Sequence, residues 1–282
     1  MGLRINTNVP ALVAQRNLRT NRGNLDRNFE RLSSGYRINH AGDDAAGLAI
    51  SEVLRAQTRG LAQAERNAQD GVSVIQIAEG ALSEVSNILI RLRELGVQGA
   101  SDTIGQEERR YLDLEFQQLL EEINRISNST AYNRTPLLNG GTRTFDIQVG
   151  TQNHPETDRI RLFDSNSADV NTTALGINLA SLSDKLSAQS SLGAIDSAIT
   201  SVTTIRSQFG AMQNRLQSVI STISISRENL SAATSRIRDT DMAEETTEMA
   251  KHQILMQTGI SILGQANSSV KSVLGLLGMG GS

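Results

Sequence analysis

The chain has 282 residues and nearly balanced charge, with 27 Lys and Arg against 30 Asp and Glu for a net of −3, so its overall charge gives no case for nucleic-acid binding. The absence of Cys excludes disulfides, thiolate metal sites and cysteine catalysis, and three scattered His residues (His40, His154, His252) exclude most His-based metal clusters. Three Tyr, five Phe and no Trp imply an aliphatic, Ala-rich core suited to close helix packing, and three Pro leave few obligatory helix breaks.

The N-terminal 40 residues carry seven Arg and only two acids, Asp26 and Glu30. Leu18, Leu25, Phe29, Leu32 and Tyr36 share one helical register, while Ile5, Val9 and Leu12 sit one residue out of phase. No apolar stretch of signal-peptide length occurs here, and none along the chain approaches the ~18 residues of a membrane helix. The expectation is either a cytoplasmic protein or export by a route that reads no cleavable peptide.

The strongest signal follows. From Ile50 a 3-4 spacing runs through Leu54, Gln57, Leu61, Ala64, Ala68, Gly71, Ile75, Ala78, Leu82, Val85, Leu89 and Leu92, with Gln57 alone polar. Such a seam predicts a helix that needs a partner along its whole length. At 1.5 Å per residue it spans roughly 65 Å, which suits a rod better than a compact core. After a break at GVQGASDTIG the seam resumes as Leu112, Phe116, Leu119, Ile123 and Ile126. Asp102 or Thr103 is placed to cap this second helix, and the short connection makes it an antiparallel neighbour of the first.

Then the period changes. Phe145, Ile147 and Val149 alternate with polar residues, as do Ile160 and Leu162, which predicts a single β-hairpin within 144–163 lying against the rod. Its flanks, TPLLNGGT and SNSADVNTTALGIN, read as loops. A third long seam begins at Leu192 and continues to Ile237, with Arg206, Gln213, Arg227 and Thr234 as polar exceptions that face solvent or another molecule. The C-terminal segment 239–282 is acidic at its start (Asp239, Asp241, Glu244, Glu245, Glu248) and carries Leu255, Gly259, Ile262, Ala266, Val270, Val273 and Leu277 with a stutter in their spacing. Both terminal helices expose apolar stripes, so they are expected to order only by meeting each other or another subunit.

No phosphate-binding loop and no H-E-x-x-H occurs, and no Ser or Thr has a convincing His base. The adjacent carboxylates Asp43 and Asp44 read as structural. The reading is therefore a non-enzyme without cofactor, catalytic or metal residues. The fold class is mainly α: a long antiparallel helical rod or coiled coil with a single β-hairpin and with N- and C-terminal helices paired.

NVPALVAQRNL, RLSSGYRINHAGDDAAGLAIS, LIRLRELGVQGAS, RTPLLNGG and SRIRDTDMAEETTEMAKHQILMQTGISILGQANSSVKSVLGLL closely resemble bacterial flagellin, in order and over nearly the whole chain. The resemblance implies an inner coiled-coil domain from 1–42 and 239–282. It implies an outer rod domain from 43–180, holding two helices and the hairpin, and 181–238. Larger flagellins insert surface domains where this chain passes from TALGINLASLSD almost directly into the third helix, so a minimal form is expected. The GMGGS tail extends past the usual Leu-Leu ending.

The implied function is a structural subunit that polymerises into the extracellular flagellar filament for motility. Implied partners are identical subunits, flagellar cap and hook-associated proteins, and an export chaperone for the C-terminal arm, with type III export and no nucleic acid or membrane span. The polymerisation arms are Ile5, Val9, Leu12, Leu18, Leu25, Phe29 and Leu32 with Leu255, Ile262, Ala266, Val270, Val273 and Leu277. A host Toll-like receptor is a further implied partner, through Arg91, Leu95 and Glu115, which equally serve subunit packing. The alternative within this resemblance is a hook–filament junction protein. A chemoreceptor-type coiled coil lacks its membrane span, and an enzyme lacks any insertion to hold it.

Overall fold

The structure, a computed structural model, describes residues 7–140, 144–162 and 168–278, the side chains of 270, 271 and 273–278 excepted. Five helices form most of it: α1 (Val9–Ser34), α2 (Ala45–Gly99), α3 (Gln106–Ser129), α4 (Lys185–Arg238) and α5 (Met242–Gly278). Two small antiparallel hairpins lie between α3 and α4, β1 (Ala131–Tyr132) with β2 (Thr135–Pro136), and β3 (Asp146–Gln148) with β4 (Arg159–Arg161). The mainly helical fold and the pairing of terminal helices agree with the sequence reading; the single hairpin does not. By its contacts the chain divides into a terminal unit, Met1–Ala56 with Asn229–Ser282, and a central unit, Gln57–Glu228.

Carboxylates start three of the helices. Asp44 accepts from the Gly47 N–H at 2.8 Å, Asp184 from Ser187 at 2.9 Å and Asp241 from Ala243 at 2.8 Å, each satisfying an otherwise orphaned first-turn donor. Asn8 does the same for α1 through Ala11, and Gly35 ends α1 at φ +74°, donating to the Arg31 carbonyl. The first residue of α3 is preceded by Gly105, which has no side chain to cap with, so Asp102 and Thr103 do not serve as its cap. Asp102 instead pairs with Lys185 at 2.6 Å, which holds its carboxyl below the usual range. The first turn of α3 gains favourable charge from Glu107 and Glu108.

The central unit is built on the predicted seams. Ala68, Ile75, Ala78, Leu82, Val85, Leu89 and Leu92 of α2 are fully buried in one cluster with Phe116, Leu120 and Ile123 of α3 and Ala188, Ile195, Ala198, Val202, Phe209 and Leu216 of α4. α2 runs antiparallel to both α3 and α4: Arg91 pairs with Glu115 at 2.9 Å, Arg93 with Asp196 at 2.7 Å, and Glu65 with Arg227. Arg227, one of the polar exceptions in the third seam, is thus spent within the chain and not on solvent or a partner. The helix expected over 181–238 begins at Lys185, and Ile50 at the head of the first seam is half exposed.

The β3–β4 hairpin pairs Ile147 with Ile160 and turns Val149, Ile160 and Leu162 into the same core. Asn67 of α2 donates to the Gln148 carbonyl at 3.0 Å. Gly71 makes this close approach possible, since a Cβ there would lie 3.2 Å from Ile147 Cγ1 and 3.3 Å from Leu216 Cδ1. Gly71→Val should therefore cost the central unit about 1–3 kcal/mol by overpacking, read as a lowered urea midpoint in circular dichroism. A midpoint equal to that of the parent chain would refute the close packing.

The second hairpin and the segment after β4 carry information that turn composition hid. Asn133 and Arg134 both have positive φ, 46° and 64°, giving a tight two-residue turn without the Asn-Gly signature that usually announces one. The loop 168–182 buries Ala168, Val170, Leu175, Ile177 and Leu182. Polar side chains of α3 hold it there. The Asn124 carbonyl oxygen accepts from the Thr172 N–H and hydroxyl at 2.9 and 3.0 Å, Asp113 from the Leu182 N–H at 2.7 Å, and Gln117 donates to Ala180. Ser127, itself buried, donates to the Leu138 carbonyl at 2.7 Å.

Candidate assembly surface

In the terminal unit α1 and α5 pack antiparallel. Asn8 donates to the Ala266 carbonyl at 3.0 Å at one end, and Arg31 lies 3.7 Å from Glu245 at the other. Ala11, Ala14, Leu18, Asn21, Leu25, Asn28 and Leu32 of α1 are shielded at a strict 3-4 spacing, with Asn24, Glu30 and Arg31 also partly covered near its C-terminal end. Their counterparts on α5 are Met249, His252, Met256, Gly259, Leu263 and Ala266, again 3-4. Gly259 takes the closest approach: a Cβ there would sit 2.7 Å from Leu18 Cδ2.

Of the expected C-terminal register, Gly259 and Ala266 lie in this seam. Leu255 and Ile262 do not lie in the α1–α5 seam; they are 41% and 54% exposed on an adjacent face. Val9, Leu12 and Phe29 of α1 are likewise about half exposed. Leu18, Leu25, Leu32 and Ala266 are partly covered by the pairing. Ile5 and the side chains of Val270, Val273 and Leu277 lie outside the described residues. Tyr36 is also misassigned by periodicity: α1 has ended at Gly35, and Tyr36 instead bridges to Asp239.

Each terminal helix therefore presents two apolar stripes, one consumed by its partner and one left open. Between the open stripes runs a groove of about 490 Å³ lined by Val9, Val13, Leu18, Leu255, Gly259 and Ile262 among others. Ile254 and Ile260 stand exposed on the same helix. The far end of the pair is polar, with Asn24, Arg27, Asn28 and Arg31 facing Glu244, Glu245, Glu248 and His252.

A compact joint fixes where the paired helices meet the rest of their unit. Arg37 N–H donates to the Arg238 carbonyl at 2.7 Å and Thr240 N–H to the Gly35 carbonyl at 3.0 Å. The Arg238 guanidinium lies 4.7 Å from the Tyr36 ring centre and 2.6 Å from Glu52. Ile38 is buried beneath. Asp43 accepts from the N–H groups of His40 and Asn39, and the His40 bond above all lowers its pKa. The Asp43–Asp44 pair thus ties down backbone, in keeping with the structural role read from the sequence.

In the central unit, Arg91 and Glu115 form an exposed ion pair, joined by Glu94 at 3.0 Å. Hydrogen bonding to Glu115 raises the Arg91 pKa. Leu95 is only 1% exposed, so it supports this surface from below and is not presented on it. Among the described residues, no group of three acidic or His side chains is placed to hold a metal, and no helix is long and apolar enough to cross a membrane.

Comparison with known proteins assigns the family. Residues 5–142 match the bacterial flagellin N-terminal helical region, and residues 192–277 match the bacterial flagellin C-terminal helical region. A flagellin of Halalkalibacterium halodurans is 47% identical over 273 residues, 97% of this chain and 99% of that protein. The flagellar filament 33 kDa core protein of Treponema phagedenis is 40% identical over 286 residues, again 97% and 99% of the two chains. The crystal structure of Bacillus cereus flagellin superposes with a TM-score of 0.50 at 29% identity, covering 56% of this chain and 88% of that one. Nothing in these relatives favours the hook–filament junction alternative. Long aliphatic seams, paired terminal helices with an unfilled groove, and relatives matched from end to end converge on one conclusion: the chain belongs to the bacterial flagellin family and is a structural subunit of the flagellar filament, with no large surface domain.

Proposed function

We propose that the α1–α5 pair is the polymerisation element, and that its open groove receives a neighbouring copy of the chain. The observation that carries this reading is that Val9, Val13, Leu255 and Ile262 remain exposed along one groove that borders the α1–α5 seam and shares Leu18 and Gly259 with it. Covering a few hundred Å² of such surface is worth roughly several kcal/mol at about 25 cal/mol per Å², before ordering costs are subtracted. That gain exists only where copies repeat, which directs addition to the end of a growing array. Contacts repeating without closure generate a helical tube.

In this reading residues 1–42 and 239–282 supply the inner coiled coil of the filament, and 43–180 with 181–238 supply its outer layer. The family resemblance supports secretion through type III export to an extracellular filament, assembly beneath a cap protein onto hook-associated proteins, and an export chaperone that holds the C-terminal arm. It also supports recognition by a Toll-like receptor, for which Arg91 and Glu115 offer exposed charge while Leu95 sets the local packing.

The decisive experiment is Ile262→Asp, an exposed substitution that leaves the α1–α5 seam untouched. Its monomer should keep the parent helicity while elongation from filament seeds falls at least tenfold. Seeded growth at the parent rate, measured by light scattering and electron microscopy, would remove the groove from the assembly surface.

A further inference from the structure

The strongest charge imbalance in the terminal unit is on α1. Arg16, Arg19 and Arg22 are exposed at successive turns over about a third of the α1 circumference, and among the described residues none of them makes an ion pair within the chain. The reason is the antiparallel register. With Asn8 beside Ala266 and Arg31 beside Glu245, the stretch of α5 alongside these three residues is 253–262, QILMQTGISI, which has no charge. The only nearby carboxylate is Asp26, one turn after Arg22 and not bonded to it.

The complementary charge lies at the other end of the pair. The first turn of α5 carries Glu244 and Glu245. Glu245 is buried against Arg31, and Glu248 is taken by Lys251 at 3.0 Å. Glu244 is exposed and makes no ion pair among the described residues, although Arg27 and Arg31 line the same polar end of the pair. One chain thus holds a basic strip and an acidic helix end offset along the pair: in this register Glu244 is level with about residue 32, roughly ten to sixteen residues beyond the strip, or about 15–24 Å at 1.5 Å per residue. They cannot reach each other within one subunit. A second copy displaced along the pair by about that distance brings its acidic end beside the strip.

We propose that Arg16, Arg19 and Arg22 form the electrostatic docking face for the Glu244 end of α5 in a neighbouring copy. This rests on the reading of the α1–α5 pair as the assembly element and adds which segments meet. The apolar groove supplies most of the burial but little directional information. Opposite charges at fixed positions steer approach and penalise wrong axial registers, where like charges or unpaired charges would be enclosed.

The test is a charge swap in seeded elongation of the full chain. Arg19→Glu alone and Glu244→Arg alone should each slow elongation at low salt by about fivefold or more, with monomer circular dichroism unchanged. An equimolar mixture of the two variants should elongate near the parent rate, because each then offers the charge that the other needs. The double variant in one chain should recover likewise. Parent-like growth of either single variant would overturn the proposal, and so would slowed growth that neither mixing nor the double variant restores. Should Ile262→Asp block growth while both charge variants grow normally, the assembly reading stands and this pairing is lost.

Discussion

A chain lacking residues 1–40, or one lacking residues 240–282, keeps its central unit folded and no longer polymerises. The core that runs from Ala64 to Ile223 takes no side chain from either deleted segment, so its burial is unchanged. The terminal unit fares differently. Removing α1 takes away Leu18 from above Gly259 and leaves the 37 residues of α5 with both apolar stripes in water. A lone amphipathic helix of that kind owes its order to packing, so α5 melts with its partner gone. Removing α5 has the same consequence for the 26 residues of α1. Either truncation should therefore lose roughly a third of the helical circular dichroism and retain one cooperative transition from the central unit. Electron microscopy of either truncation after seeding should show no filaments. Filaments from either one would separate assembly from the terminal helices altogether.

The sequence announces these elements unevenly, for identifiable reasons. The α2 seam is legible because its apolar positions recur without interruption and the bundle buries them where the period says, from Ala64 to Leu92. The β3–β4 hairpin is legible because Phe145, Ile147 and Val149 alternate, and two-residue alternation has no helical reading. In α5 two apolar stripes overlap, and choosing the bulkiest residues selects Leu255 and Ile262, which face outward. The regular spacing of Met256, Gly259, Leu263 and Ala266 was the better signal, since close helix pairing favours small residues at the contact. The buried loop 168–182 was invisible because its order depends on Asp113, Gln117 and Asn124, polar residues on a distant stretch of chain that read locally as a solvated face. The joint between α1 and α2 was hidden likewise: Tyr36, Arg37 and Arg238 meet across about two hundred residues.

Leu82→Asp should unfold the central unit at neutral pH, and Val85→Asp should do the same. Both side chains are fully buried among the aliphatic residues of α2, α3 and α4. Losing a buried Leu side chain alone costs about 2–5 kcal/mol, the expected penalty for Leu82→Ala. Adding a carboxylate with no partner raises the cost by several kcal/mol more, which exceeds what a domain of typical stability, about 5–15 kcal/mol, tolerates with margin. The pH dependence separates the two contributions. Burial disfavours the ionised form, so the introduced carboxyl has a higher pKa folded than unfolded. Its penalty is full above the folded-state pKa and shrinks as pH falls through that value toward the unfolded one. Relative to the parent chain, Leu82→Asp should thus regain stability between about pH 7 and pH 4, whereas Leu82→Ala and Leu82→Asn should show no such gain. Thermal melts followed at 222 nm across that range decide the matter. A neutral-pH melt like the parent's would show that Leu82 is not enclosed. A deficit equal at both pH values would show that the lost packing, not the buried charge, sets the cost.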